Sequence, residues 1–344
     1  MAGALVRRAL RRSLDQVRHV SPVRPAAARG LVADVYARSE REFGMLAPPV
    51  ALHSPAPEVL AACWMMLRET LLAEGRAGRA VKEAVATGVS LGNTCPYCVG
   101  VHSATLQGLV GGGGAGDGEV EPVTAWARAS GVRREAALHG RPFPQEQAAE
   151  LVGVAVTFQY LNRMVNVFLD DTPLPPRVPA AAHGGLMRVL GWFMRLTARE
   201  VREPGASLDL LPAAPLPGDL SWAAGAPNIA GAFARTAEAV EEAGRRSVPE
   251  AVRDLVTARL AGWDGGPAGL GRAWADDAVS GLPVAQRPAG RLALLTAIAS
   301  HQVGGSVVDD FRAGGPDDGA LIELTAWASL AAARRIGGWM CGEE

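Results

Sequence analysis

One spacing constrains this chain more than any other. Cys95, Cys98 and His102 stand at i, i+3 and i+7, so on an α-helix all three side chains lie on one face, each within a turn of the next. Asn93 or Thr94 is placed to cap that helix and Pro96 suits its first turn, which sets both sulfurs near unpaired N–H groups and the positive end of the helix dipole. At least one thiol of such a pair is expected to have a lowered pKa, and the pair to cycle between dithiol and disulfide. His102, one turn beyond Cys98, is placed to take or give the proton. Glu83 lies on a preceding helical segment that ends at Gly92, and a helix-turn-helix brings its carboxylate back beside His102, directly or through a water. These residues supply a nucleophile, a base and an orienting group.

Other readings of the pair are weaker. Cys95, Cys98 and His102 give a zinc ion three ligands and would need Glu83 as the fourth, with no second Cys-x-x-Cys in view. Val99 follows Cys98, which excludes haem attachment through Cys-x-x-Cys-His. A structural disulfide usually closes a longer loop in a secreted chain. No metal and no cofactor is expected.

The stretch Glu83, Cys95, Cys98 and His102 resembles the AhpD-like branch of the carboxymuconolactone decarboxylase family, whose signature of Glu, eleven residues, Cys-x-x-Cys, three residues and His it matches without a gap. The resemblance implies a peroxidatic Cys98, a resolving Cys95, a proton-accepting His102 and a relay carboxylate at Glu83. It implies a hydroperoxide substrate, an external dithiol reductant of lipoyl or thioredoxin-like kind, and a homo-oligomer. Tyr97 stands where the best-known member has a histidine, which shortens the relay. Two other functions remain open at this point. One is the cofactor-free decarboxylation after which the family is named, which needs no thiol pair; the other is a non-enzymatic redox-sensing oligomer.

Composition narrows the partners. With 34 basic against 35 acidic side chains the formal charge is −1, unlike the basic excess of a nucleic-acid binder. Hydrophobic residues make up 49% of the 344, enough for sizeable cores. The first twenty residues carry arginines but no continuous apolar run, so no signal peptide is read there; they are expected to be exposed and partly disordered, in a leader that runs to residue 48 with a helical piece near 31–43. The most apolar segment, 148–169, is interrupted by Gln159, Asn162, Arg163 and Asn166 and reads as a buried helix with its stripe at Leu151, Val154, Phe158, Leu161, Val165 and Phe168, not as a membrane span. A cytoplasmic protein with no membrane partner is expected. The Asn162–Arg163 pair is expected to pack or cap between subunits.

No alternating strand pattern stands out, so the chain reads as all-α. Helices are expected over 57–74, with Cys63 on the core face, over 78–91 and from 94 to about 110. The glycine run 111–118 is read as a flexible loop. Residues 172–246 form a proline-rich and helical linker, in which Arg188, Arg195 and Arg199 solvate the outside. Beyond 247 the chain repeats itself: Thr325-Ala326-Trp327-Ala328 restates Thr124-Ala125-Trp126-Ala127, and ungapped alignment sets Arg291, Val303, Ser306 and Asp310 against Glu83, Cys95, Cys98 and His102. Two tandem AhpD-like helical bundle units joined by the linker are therefore expected, 49–171 with the motif intact and 247–344 degenerate. His301 and Asp309-Asp310 are read as a turn and a solvated helix face, and Cys341, His19, His53 and His183 as unconnected with the chemistry.

Overall fold

A computed structural model describes residues 11–110, 117–174, 178, 180–198 and 200–341. Residues 1–10, Arg199 and almost all of the glycine run lie outside the described residues, as do the expectations attached to them. The fold is all-α, with no strand among the described residues. Its α-helices of eight residues or more are α1 (Gly30–Glu42), α2 (Pro57–Leu67), α3 (Arg79–Gly92), α4 (Pro96–Val110), α5 (Asp117–Ala129), α6 (Ala148–Phe168), α7 (Ala180–Thr197), α8 (Pro227–Ser247), α9 (Glu250–Ala261), α10 (Arg287–Ala299), α11 (Gly305–Arg312) and α12 (Asp318–Met340). None is long and apolar enough to cross a membrane.

Helix α6 is the axis of the molecule. Nearly every side chain on it is buried, because α3 covers one side and α12 another. A helix enclosed on all sides cannot leave its polar residues to water, so each needs an internal partner. Gln159, Asn162, Arg163 and Asn166 all have one. The apolar stripe read from the sequence is buried throughout, at roughly 1.5–3 kcal/mol for each large side chain.

Helix α3 is held in place by backbone contact. Its glycines Gly88 and Gly92 share one face, and a Cβ at either would stand 2.4 Å from the Thr124 carbonyl oxygen or 2.5 Å from that of Arg128, both on α5. The two helices therefore meet with nothing larger than the Ala127 methyl at Gly88. Gly88→Ala must push α5 away and is expected to cost about 2 kcal/mol, in the range of overpacked cores. Urea denaturation monitored by circular dichroism measures the loss.

Segment 11–48 is not the exposed leader that its arginines suggest. Val20, Val32, Val35 and Tyr36 are buried in the main core, and the Arg18 amide donates to the Phe168 carbonyl at 2.7 Å, at the end of α6. Helix α2 continues into a π-helical turn, Arg68–Leu72. That turn carries a buried Arg68 between Glu42 and Glu69, at 2.8 Å from each. Helix α7, in the linker, lies across α4 at similar closeness to the α3–α5 contact: a Cβ on Gly191 would meet the Ala104 carbonyl oxygen at 2.2 Å. Arg188 faces solvent as expected and Arg195 is half-buried.

Candidate active site

The turn between α3 and α4 sets the first sulfur. Helix α3 ends in a Schellman motif: the Cys95 amide donates back to the Ser90 carbonyl at 3.1 Å and the Thr94 amide to that of Leu91 at 3.4 Å. The left-handed residue of this motif is usually glycine, but here it is Thr94, at φ 50°. The Cys95 carbonyl then accepts from the Val99 amide at 3.0 Å, the first bond of the next helix. One residue thus closes α3 and opens α4. Neither Asn93 nor Thr94 caps α4, because Thr94 is used in the turn and the Asn93 side chain turns inward to Gln159 and Asn162.

Cys95 therefore occupies the N-cap of α4 and Cys98 its first turn, both buried and unbridged. The Cys95 thiol and, from α6, the Asn162 side chain both lie beside the Cys98 thiol. Burial pushes the Cys98 thiol well up, and the contact with Cys95 adds to this; the Asn162 side chain opposes it. The lowered pKa expected of the helix N-terminus is not found at Cys98, because removal of the thiolate from water outweighs the dipole. Asn162 is also fully buried within one chain, which corrects its expected place between subunits. Asn162→Ala is expected to move alkylation of Cys98 by iodoacetamide to higher pH, measured by mass spectrometry.

His102 and Glu83 do meet. The His102 Nδ1 atom is 2.7 Å from a Glu83 carboxylate oxygen, and Glu83 is fully buried. A carboxylate only accepts, so the contact places the imidazole proton on Nδ1 and leaves Nε2 as the acceptor. Arg79, one turn earlier on α3, holds the other carboxylate oxygen at 2.7 Å. Burial alone would raise the Glu83 pKa, but the charges of Arg79 and His102, with the hydrogen bonds each makes, hold it below the usual carboxylate value. The ring of Phe158 meets His102 edge-on at 4.5 Å and fixes its remaining freedom. Lys82, the neighbour that might have marked Glu83 as a surface charge, is buried and pairs with Glu150 at 3.2 Å.

Access is from the side of the first cysteine. A cavity of about 180 Å³ is lined by Cys95, Tyr97, Asn166 and Asp171, with Arg18 from the N-terminal segment and His301 from the C-terminal half. Val303, aligned with Cys95, lines it too. Asn166 ties the two turns together, donating to the Asn93 carbonyl at 3.2 Å and to the Ser300 hydroxyl at 3.0 Å. Arg18, Asn162, Gln159 and Arg79 were not singled out for this site from sequence. The one visible signal was the row of polar residues interrupting the apolar run of α6.

The remaining candidates lie elsewhere. Cys63 is buried on α2, its thiol pushed up by burial. His53, fully buried beside Tyr160, has its pKa lowered to about 4 by burial and stays neutral. Asp309 and Asp310 are exposed on α11, as expected of a solvated face.

No family model matches the chain. It is 38% identical over 339 residues to a protein of Mycobacterium tuberculosis named alkyl hydroperoxide reductase Rv2159c, an alignment that covers 94% of this chain and 95% of that one. Identity of that extent over nearly the whole of both chains makes the chain a member of the AhpD-like alkyl hydroperoxide reductase family.

Proposed function

We propose that this protein is a thiol-dependent peroxidase that reduces hydroperoxides through Cys98 and Cys95. The observation that supports the reading best is the buried Glu83–His102 pair at 2.7 Å, one turn from a thiol that burial keeps protonated. Such a thiol is inert until a base removes its proton, and His102 Nε2 is left as that base. The Cys98 thiolate attacks the terminal oxygen of the hydroperoxide; the O–O bond breaks, and the alkoxide leaves as the alcohol with the proton from His102. Cys98 becomes a sulfenic acid. Cys95 attacks its sulfur, water departs, and an external dithiol of lipoyl or thioredoxin-like kind reduces the resulting disulfide.

The proposal extends to the duplication of the fold. Arg291 and Asp310, aligned with Glu83 and His102, are themselves paired at 3.3 Å between α10 and α11. The second half has the same pairing with the charges exchanged and the thiols gone. Cys95 and its counterpart Val303 line one cavity, as two units facing each other would place them.

Mass spectrometry after one equivalent of peroxide tests the chemistry. Wild type should give a 95–98 bridge and Cys95→Ser a trapped sulfenic acid on Cys98; oxidation confined to Cys95 or Cys63 would overturn the assignment.

A further inference from the structure

The half of the chain without the Cys-x-x-Cys pair still reaches the redox site, through the turn Ser300–Gln302. His301 on that turn lines the cavity that ends at Cys95. It also lines, with Val303, a second cavity of about 300 Å³ whose walls include Leu270 and Arg272. The two cavities share these two residues, so the imidazole borders both, the one past Leu270 and the one that ends at the first sulfur. Cys98, the other sulfur, lines neither.

We propose that His301 is the general base for the reductive half of the cycle, taking the proton from an external dithiol as that dithiol attacks Cys95. The inference rests on the reading of Cys95 and Cys98 as a redox pair and assigns their reductant a place. The incoming thiol gives its proton to the imidazole, and its thiolate attacks the Cys95 sulfur. The 95–98 bond breaks, and Cys98 leaves as a thiolate that takes up a proton from solvent by way of His102. The second thiol of the reductant then gives its proton to solvent and attacks the first reductant sulfur in the mixed disulfide. Cys95 is released and takes the proton back from His301, and the two electrons that reduce the 95–98 bridge have come from the dithiol, which departs as its disulfide.

The surroundings suit this role. His301 is exposed to an arriving molecule, while partial burial lowers its pKa, so the ring is unprotonated near neutral pH and ready to accept. The charged groups that face it are Arg18, Asp170 and Asp171 within the cavity and Arg272 on the other side. Arg18 is committed to Asp170 at 3.5 Å, and of the two other proton acceptors in the cavity, Asp171 and His301, the imidazole is the stronger base. Neither His102 nor Glu83 lines either cavity, so the two halves of the cycle use separate bases.

The test isolates reduction from peroxide chemistry. Protein oxidised to the 95–98 bridge with diamide is mixed with dihydrolipoamide, and loss of the bridge is followed by quenched alkylation and mass spectrometry. His301→Asn should lower the second-order rate at neutral pH by about tenfold, below the usual range of general-base effects because the dithiol is partly ionised by itself. Near pH 10, above the ordinary thiol pKa, the two rates should converge within about twofold. Equal rates at neutral pH, or a deficit that persists at high pH, would overturn the proposal. The two failures are separable: if peroxide gives no 95–98 bridge in wild type, the peroxidase reading falls, whereas the diamide-oxidised protein reports on His301 regardless.

Discussion

Cys98→Ser should abolish continuous peroxide consumption, lowering it by about a thousandfold or more, the scale on which enzymes lose activity with their nucleophile. Serine preserves the shape of the buried site, so the fold should survive, but its hydroxyl is far less acidic than a thiol and His102 cannot ionise it. Cys95→Ser should behave differently. Its Cys98 can still attack, so one equivalent of peroxide disappears quickly and turnover then stops with the sulfenic acid in place. Peroxide followed colorimetrically with dihydrolipoamide as reductant distinguishes a single turnover from none. The comparison also separates peroxidase from the two rival functions. A decarboxylase acting without thiols would be unaffected by either change, and a sensor would show one turnover in wild type as well. Retention of a tenth of the wild-type rate by Cys98→Ser would be incompatible with a Cys98 nucleophile.

Glu83→Gln should weaken both activity and stability. Glutamine fills the same space but carries no charge, so it neither fixes the His102 tautomer as firmly nor neutralises Arg79. Activity should fall about a hundredfold, the lower range for loss of assisted proton transfer. The Arg79 side chain is 16% exposed, so its lost partner should cost about 2–3 kcal/mol, below the full penalty for a fully buried charge. The pH dependence has a definite sign. The folded Glu83 pKa lies below its unfolded value, so its contribution is complete above the unfolded carboxylate pKa of about 4.3 and is lost as pH falls through the folded value. The stability difference between wild type and Glu83→Gln should therefore be constant near neutrality and shrink in acid. Urea denaturation at several pH values measures it, and a difference that grew on acidification would contradict the ionised, paired carboxylate.

What could be read from the sequence follows a physical division. Helices marked by period and punctuation were legible: the apolar stripe of α6 and the Gly92-Asn93 stop of α3 both lie where the pattern put them. The meeting of Glu83 and His102 was also legible, because a short helix-turn-helix leaves few ways to arrange residues on its inner faces. The Cys98 pKa was not. Spacing shows the helix dipole but cannot show how completely α6 excludes water from the sulfur. Arg18 and His301 were illegible for a different reason. They reach the cavity from 77 residues before Cys95 and 206 after it, and no local pattern encodes a contact made by the closure of the whole chain. His301 does sit in the turn that the sequence suggested; what that turn faces is tertiary information.

Thr94 carries a last consequence. A β-branched residue in the left-handed region is strained by about 1–2 kcal/mol relative to glycine, and this one forms the hinge on which the first sulfur is aimed. Thr94→Gly should raise the melting temperature while letting the Cys95 backbone wander, so the gain in robustness would come with slower closure of the sulfur–sulfur bond. Selection for a hardier protein and selection for a faster one would pull this single position in opposite directions.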